Sequence, residues 1–264
     1  MIDSKRFIQD CAAVRQQSPL THCITNYVAM EFNANALLAI GASPLMSFCP
    51  EEMDEIVKIA SALVINIGCL DLHEIDGMRA AASAACKYGK PWVLDPVGAG
   101  ASTIRTQTAL ELIRDYHPTV IRGNASEIMV LAGSEIVSKG VDSSNSSSDA
   151  LEGAKALAKA TGAVVSISGA VDYITDGEKV ETIRNGSPLQ ARVTAMGCTA
   201  SALTGAFVAV SASPLEGATH AMAVMGICGN IAADGCTGTG NLKERFVDAL
   251  SNFDAERELA LLRQ

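Results

Sequence analysis

The sequence predicts an α/β protein with a mostly parallel central sheet, helices on both faces and an antiparallel edge. Three observations support this. Short apolar runs ending in Gly, Asp or Asn alternate with amphipathic stretches of about 10–18 residues, the pattern of repeated β-α-β crossovers. A hairpin pattern, Asp172-Tyr173-Ile174-Thr175 then Asp176-Gly177 then Lys179-Val180-Glu181-Thr182-Ile183, follows them and supplies the antiparallel edge. The composition is 48% hydrophobic but only 4% aromatic, with 22 glycines. Such a core is filled by Ala, Val, Ile, Leu and Met, which suits close helix packing and tight turns.

The elements follow in order. Ala62 to Gly68 is a short apolar run closed by Gly and reads as a buried strand. Asp71 to Tyr88 reads as a helix, with Leu72, Ile75, Met78, Ala82 and Ala85 on one stripe and Gly89 as its stop. Pro91 to Asp95 is the next strand, closed by Pro96 and a glycine loop. Thr103 to Tyr116 is a helix. Thr119 to Ile121 is a strand, followed by Arg122-Gly123-Asn124 and a helix from Ala125 to Ala132. A helix near 150–160 leads to a strand over 163–169. The last 65 residues read as mainly helical. Asp142 to Ser148 is a Ser-rich surface loop, with Asp149 as a cap for the next helix. The β/α alternation resumes beyond it, so residues 1–264 read as one domain.

A net charge of −9 argues against a general nucleic-acid binder, which needs a basic face. The eight cysteines form no Cys-x-x-Cys pair and stand mostly in apolar or Ala-rich surroundings, as at Cys11, Cys69, Cys86 and Cys228. Reduced cytoplasmic cysteines have this character. The first residues carry mixed charge and do not read as a signal peptide. The longest apolar segments, near 202–212 and 221–233, are too broken to span a bilayer.

Ligands of open parallel sheets bind at the carboxyl ends of the strands. Asp95 closes one strand, ahead of Pro96-Val97-Gly98-Ala99-Gly100. Arg122 and Asn124 follow another, with Glu127 one turn on. Ser168-Gly169 ends a third. The small-residue run Ala195-Met196-Gly197-Cys198-Thr199-Ala200-Ser201-Ala202 leads into an apolar helix, Leu203 to Val210. The N–H groups at such a helix start favour a phosphate or a developing oxyanion. Asp95 and Glu127 are oxygen ligands suited to Mg²⁺ beside phosphates. Read structurally, Asp95 is a turn-initiating residue, Glu127 a first-turn glutamate, Arg122 an exposed charge, Ser168 a turn-capping hydroxyl and Cys198 a small helix-start residue.

Arg122-Gly123-Asn124-Ala125-Ser126-Glu127 resembles the Asn-x-x-Glu element of ribokinase-like kinases. Asp95-Pro96-Val97-Gly98-Ala99, the run Thr21 to Val28 and the run Asn33 to Met46 resemble the hydroxyethylthiazole kinase family. The likeness covers most of the chain. It implies ATP- and Mg²⁺-dependent phosphorylation of the primary alcohol of 4-methyl-5-(2-hydroxyethyl)thiazole, in thiamine biosynthesis or salvage. It further implies that Met46, Asn26, Val28 and Ala195 meet the thiazole, and that Arg122, Ser168 and Asn124 meet ATP. Glu127 and Asp95 would serve the metal, and 195–198, with Gly197 and Cys198, would form the anion hole. Family members are typically homotrimers with sites between subunits.

Two departures stand out. The family's anion hole usually reads Gly-Thr-Gly, and here Ala195 and Met196 replace the first two residues. If residue 195 needs positive φ, Ala is strained there. Cys198 stands where many ribokinase-like enzymes carry an Asp base; a helix N-terminus would lower its pKa. A second Gly-Thr-Gly, Gly238-Thr239-Gly240, reads as a nucleotide-side loop or a simple helix start. Alternatives remain open: a hydroxymethylpyrimidine or sugar kinase, a nucleotide-dependent dehydratase, or a non-catalytic nucleotide-binding protein.

Overall fold

The computed structural model describes residues 2–134 and 147–264, apart from the side chains of 147–149. The Ser-rich stretch as far as 146 therefore lies outside the described residues, and the helix that follows already begins at Ser147, so Asp149 lies inside it and not at its N-cap. The chain opens with helix α1 (Ser4–Gln17), strand β1 (Leu20–Ile24), helix α2 (Met30–Ile40), strand β2 (Ser43–Leu45) and helix α3 (Met53–Ile59). Strand β3 (Ala62–Asn66), α4 (Leu72–Tyr88), β4 (Trp92–Asp95), α5 (Thr103–Tyr116), β5 (Val120–Asn124) and α6 (Ala125–Ala132) follow. Then come α7 (Ser147–Thr161), β6 (Val164–Ser168), β7 (Asp172–Thr175) and β8 (Val180–Ile183). The last helices are α8 (Met196–Val208), α9 (Pro214–Ala233), α10 (Thr239–Ser251) and α11 (Ala255–Glu258).

The strands form one eight-stranded sheet in the order β2-β1-β3-β4-β5-β6-β7-β8. The first six are parallel, and β7 and β8 form the antiparallel edge that the Asp-Gly signal predicted. Alternating strand residues face opposite layers. Val64, Val93 and Val120 pack with residues of α1, α2, α8, α9 and α10. Leu63, Ile65, Leu94 and Ile121 pack with residues of α3 to α7 on the other face. This is the two-sided covering expected of a parallel sheet. Among the described residues, no helix is long and apolar enough to cross a membrane.

Three details differ from the sequence reading. β5 does not stop at Ile121 but runs to Asn124, because it stays paired with β6 as far as Asn124↔Ser168. Arg122 is thus a strand residue, only 6% exposed, and not a surface charge. Leu72 is exposed; burial of the α4 stripe starts one turn in, at Ile75. Cys86 is likewise exposed, off the face that carries Ala82 and Ala85.

The third concerns α8. It starts at Met196, well before Leu203, so the small residues from Gly197 to Ala202 lie inside the helix. They are small because α8 is pressed against the sheet: a Cβ on Gly205 would come within 2.5 Å of Val64. The helix starts where it does because Ala195 adopts φ +70° and breaks the preceding chain direction. Its carbonyl accepts the first helical bond, from Thr199 N–H at 2.8 Å. Ala195 has no side-chain oxygen, so the cap gives the first-turn N–H groups no acceptor. Gly238-Thr239-Gly240 starts a helix, with Gly238 at the N-cap of α10, and is not among the residues that line the main cavity.

A left-handed backbone costs an Ala of order 1 kcal/mol more than a Gly, partly offset by the greater freedom of Gly in the unfolded chain. Ala195→Gly is therefore expected to raise the unfolding midpoint by about 2 °C, measured by differential scanning calorimetry. An unchanged or lower midpoint would show that this position carries no strain.

Candidate active site

The strand ends and the α8 N-terminus enclose a cavity of about 760 Å³. Asp95, Arg122, Asn124, Glu127, Ser168, Ala195, Gly197 and Cys198 all line it. The sheet carries Asp95, Arg122, Asn124 and Ser168 to one edge in neighbouring strands, Glu127 follows on the first turn of α6, and the N-terminus of α8 lies at that edge.

Asp95 ends β4 and is 1% exposed. Its Oδ2 accepts Asn66 Nδ2–H at 2.7 Å and Ser201 Oγ–H at 2.7 Å. Burial pushes the carboxyl up to about 6, and the Glu127 charge adds to the rise. The Arg122 guanidinium and the Ser201 and Asn66 hydrogen bonds oppose it. The group sits near the middle of the physiological range, where a bound cation would hold it ionised.

Glu127 completes a capping box. Asn124 Oδ1 accepts Glu127 N–H at 2.9 Å, and Glu127 Oε2 accepts Asn124 N–H at 2.8 Å. Its other oxygen, Oε1, accepts Gly98 N–H at 2.9 Å, from the glycine loop after β4. The carboxylate thus caps α6, pins a loop and lines the cavity.

Arg122 reaches α8. Its Nη1 donates to Gly197 O at 3.0 Å, while its buried Nε has no partner. A Cβ on Gly197 would lie 3.2 Å from that Nη1, so glycine lets the guanidinium lie against the helix. An orphaned donor beside free helix amides is an arrangement that an anion completes. Ser168 Oγ contributes a hydroxyl at the end of β6, 3.4 Å from Gly123 O.

Cys198 is half-buried. Burial, then the Asp95 charge, raises its thiol, outweighing the Asn26, Asn66 and Arg122 contributions that lower it. The lowering expected from the helix N-terminus does not prevail, and the side chain is a neutral thiol at pH 7. Asn26 Nδ2 donates to its sulfur at 3.3 Å.

Asn26, Val28 and Met46 are not among the residues that line the cavity within this chain. Asn26 is buried and joined to the site through Cys198 and Asn66. Val28 is exposed, and Met46 is half-buried against the core. Several site residues escaped the sequence reading. Asn66 and Ser201 were hidden inside apolar elements. Asp172, a buried cavity residue at the start of β7, caps Gly169 N–H at 2.9 Å and is pushed up to about 6 by burial. For Asn66 the signal was available, since it ends β3 as Asp95 ends β4.

The hydroxyethylthiazole kinase family model matches residues 11–256. A hydroxyethylthiazole kinase of Nitratidesulfovibrio vulgaris is 51% identical over 93% of this chain and 92% of its own length. One of Leptospira biflexa is 50% identical over 96% of this chain and 94% of its own. The solved hydroxyethylthiazole kinase of Pyrococcus horikoshii superposes with a TM-score of 0.91 at 38% identity, covering 98% of each chain. A Staphylococcus aureus pyridoxal kinase, at TM-score 0.61 and 15% identity over 80% of this chain and 87% of its own, shares the fold. The chain belongs to the hydroxyethylthiazole kinase family.

Proposed function

We propose that this chain transfers the γ-phosphoryl group of ATP to the primary alcohol of 4-methyl-5-(2-hydroxyethyl)thiazole, in thiamine biosynthesis or salvage. Family membership supplies the reaction. The observation that carries the reading to this chain is that one cavity gathers three carboxylates (Asp95, Glu127 and Asp172), a buried arginine and an uncapped helix start. We read residues 1–264 as one ribokinase-like domain acting in the cytoplasm.

The residues present fit Mg²⁺. Asp95 and Glu127 are oxygen donors that line one cavity, and their like charges would favour a hard cation bound beside them. Two protein carboxylates suffice for an ion that keeps waters and takes phosphate oxygens. When bound, it would neutralise phosphate charge. Arg122, Ser168 and Asn124 would hold the nucleotide phosphates, with the unpaired Arg122 Nε as one donor. The first-turn amides of α8, around Gly197 and Cys198, would receive the charge that builds on the transferred group. Ala195, Asn26, Val28 and Met46 would hold the thiazole, flat and apolar enough for a methionine wall.

Phosphoryl transfer through a loose transition state depends on positioning and charge neutralisation more than on early proton removal. A neutral Cys198 thiol is compatible with that demand. Met46 and Val28 lie outside the cavity of their own chain, and Tyr27, Val28 and Leu72 present exposed apolar surface. Both features suit a homotrimer in which Met46 reaches a neighbour's nucleotide site.

Incubation with Mg-ATP and a panel of alcohols is expected to yield the phosphorylated thiazole alcohol, identified by mass spectrometry. ATP loss without a phosphorylated acceptor would overturn the reading. Cys198→Asp is expected to keep or raise kcat, because a carboxylate accepts the Asn26 donor and the late proton. A protein that binds ATP but no longer turns over would contradict this. Light scattering is expected to give three chain masses in solution; a monomer that is fully active would rule out the shared site.

A further inference from the structure

Asn66 is 1% exposed and does not line the cavity, yet its hydrogen bonds converge on it. Its Nδ2 donates to Asp95 Oδ2 at 2.7 Å. Its Oδ1 accepts Asn26 Nδ2–H at 2.9 Å and Gly68 N–H at 2.9 Å. The orientation of this carboxamide is forced at both ends. A carboxylate oxygen only accepts, so the amide nitrogen must face Asp95. A backbone N–H only donates, so the amide oxygen must face Gly68. Asn26 is forced likewise, because its Oδ1 accepts Ala29 N–H at 3.1 Å and leaves Nδ2 for Asn66 and Cys198. The result is a one-way chain, Asn26 to Asn66 to Asp95, with each donor aimed at the next acceptor.

The geometry points to Asn66 as the positioning residue that locks the acceptor-side carboxamide of Asn26 to the buried carboxylate of Asp95. This assignment rests on the thiazole kinase reading, which places the acceptor at Asn26 and the metal at Asp95. Transfer requires the alcohol and the phosphoryl group to meet within a few tenths of an ångström, and a misplacement of about 1 Å costs about 100-fold. Asn26 comes from the loop after β1 and Asp95 from the end of β4. Asn66, at the end of the intervening β3, is bonded to both. No other amino acid of its length offers a donor and an acceptor in that plane. Asp lacks the donor when ionised, Leu lacks both, and Ser is too short to span them.

The test measures two affinities and one rate. With wild-type protein and Asn66→Ala, calorimetry gives the dissociation constant of the thiazole alcohol without nucleotide or metal, and separately that of ATP. Steady-state kinetics then gives kcat with Mg-ATP. Expected in Asn66→Ala are acceptor binding weakened about tenfold, kcat lowered about 10–100-fold, and ATP binding within about twofold of wild type. Asn26→Ala is expected to weaken acceptor binding in the wild-type background but to add little once Asn66 is gone. Unchanged acceptor binding overturns the assignment, as do equal losses for ATP and acceptor or fully additive effects of the two substitutions. Asn66→Ser, which leaves a smaller void, carries the same measurements should the alanine variant not fold. A folded Asn66→Ser protein with wild-type constants overturns it equally. A wild-type protein that phosphorylates no thiazole alcohol sinks the functional reading. An active wild type with an unaffected Asn66 variant sinks only the role given to Asn66.

Discussion

The site depends on keeping one carboxylate, Asp95, out of water and partly ionised. An unpaired charge at such depth costs several kcal/mol after relaxation, on the order expected for buried ions. The fold offsets that cost with a donor from β3, Asn66, and a donor from α8, Ser201. Arg122 on β5 adds an opposite charge. Three elements are thus tied to one side chain, and two of them, β5 and α8, line the cavity. A polar group that is costly to bury gives those elements a single mutual arrangement when its partners are complete.

Arg122 ties the other half of the site together. It crosses from the sheet to the first turn of α8, and the glycine at that turn lets it lie close. The guanidinium and the helix amides then present positive charge toward one volume, while Asp95 and Glu127 supply negative charge beside it. Under the proposed function, this separation suits a charged nucleotide and its cation. Glu127 belongs to both local structure and site, since the capping box that starts α6 also fixes its carboxylate and the glycine loop after β4.

The central strands and helices were legible from the sequence because their signals are local. Thr103 to Tyr116 and Ala125 to Ala132 carry clean boundaries, and the Asp-Gly hairpin names its own geometry. The start of α8 at Met196 was not legible, because it is set by the left-handed backbone of Ala195, which leaves no local pattern. The first sixty residues carry β1 and the three-residue β2, to which the sequence reading assigned no strand. Asp95, Arg122, Glu127, Ser168 and Cys198 were found by the strand-end rule or the helix-start rule. Ser201 was not, since it looks like an ordinary member of an apolar element until its partner is seen; Asn66 ends β3 and lay within reach of the same strand-end rule.

The closeness of α8 to the sheet has one more consequence. Gly205 sits about two turns beyond the N-terminal end of α8, buried in the interior and outside the cavity lining. Any side chain there would wedge the helix away from Val64 and swing its N-terminus out of line with the strand ends. Selection on catalysis therefore reaches a hydrocarbon contact deep in the interior. The space of tolerated sequences for this enzyme is narrowed by a bare α-carbon that no substrate ever approaches.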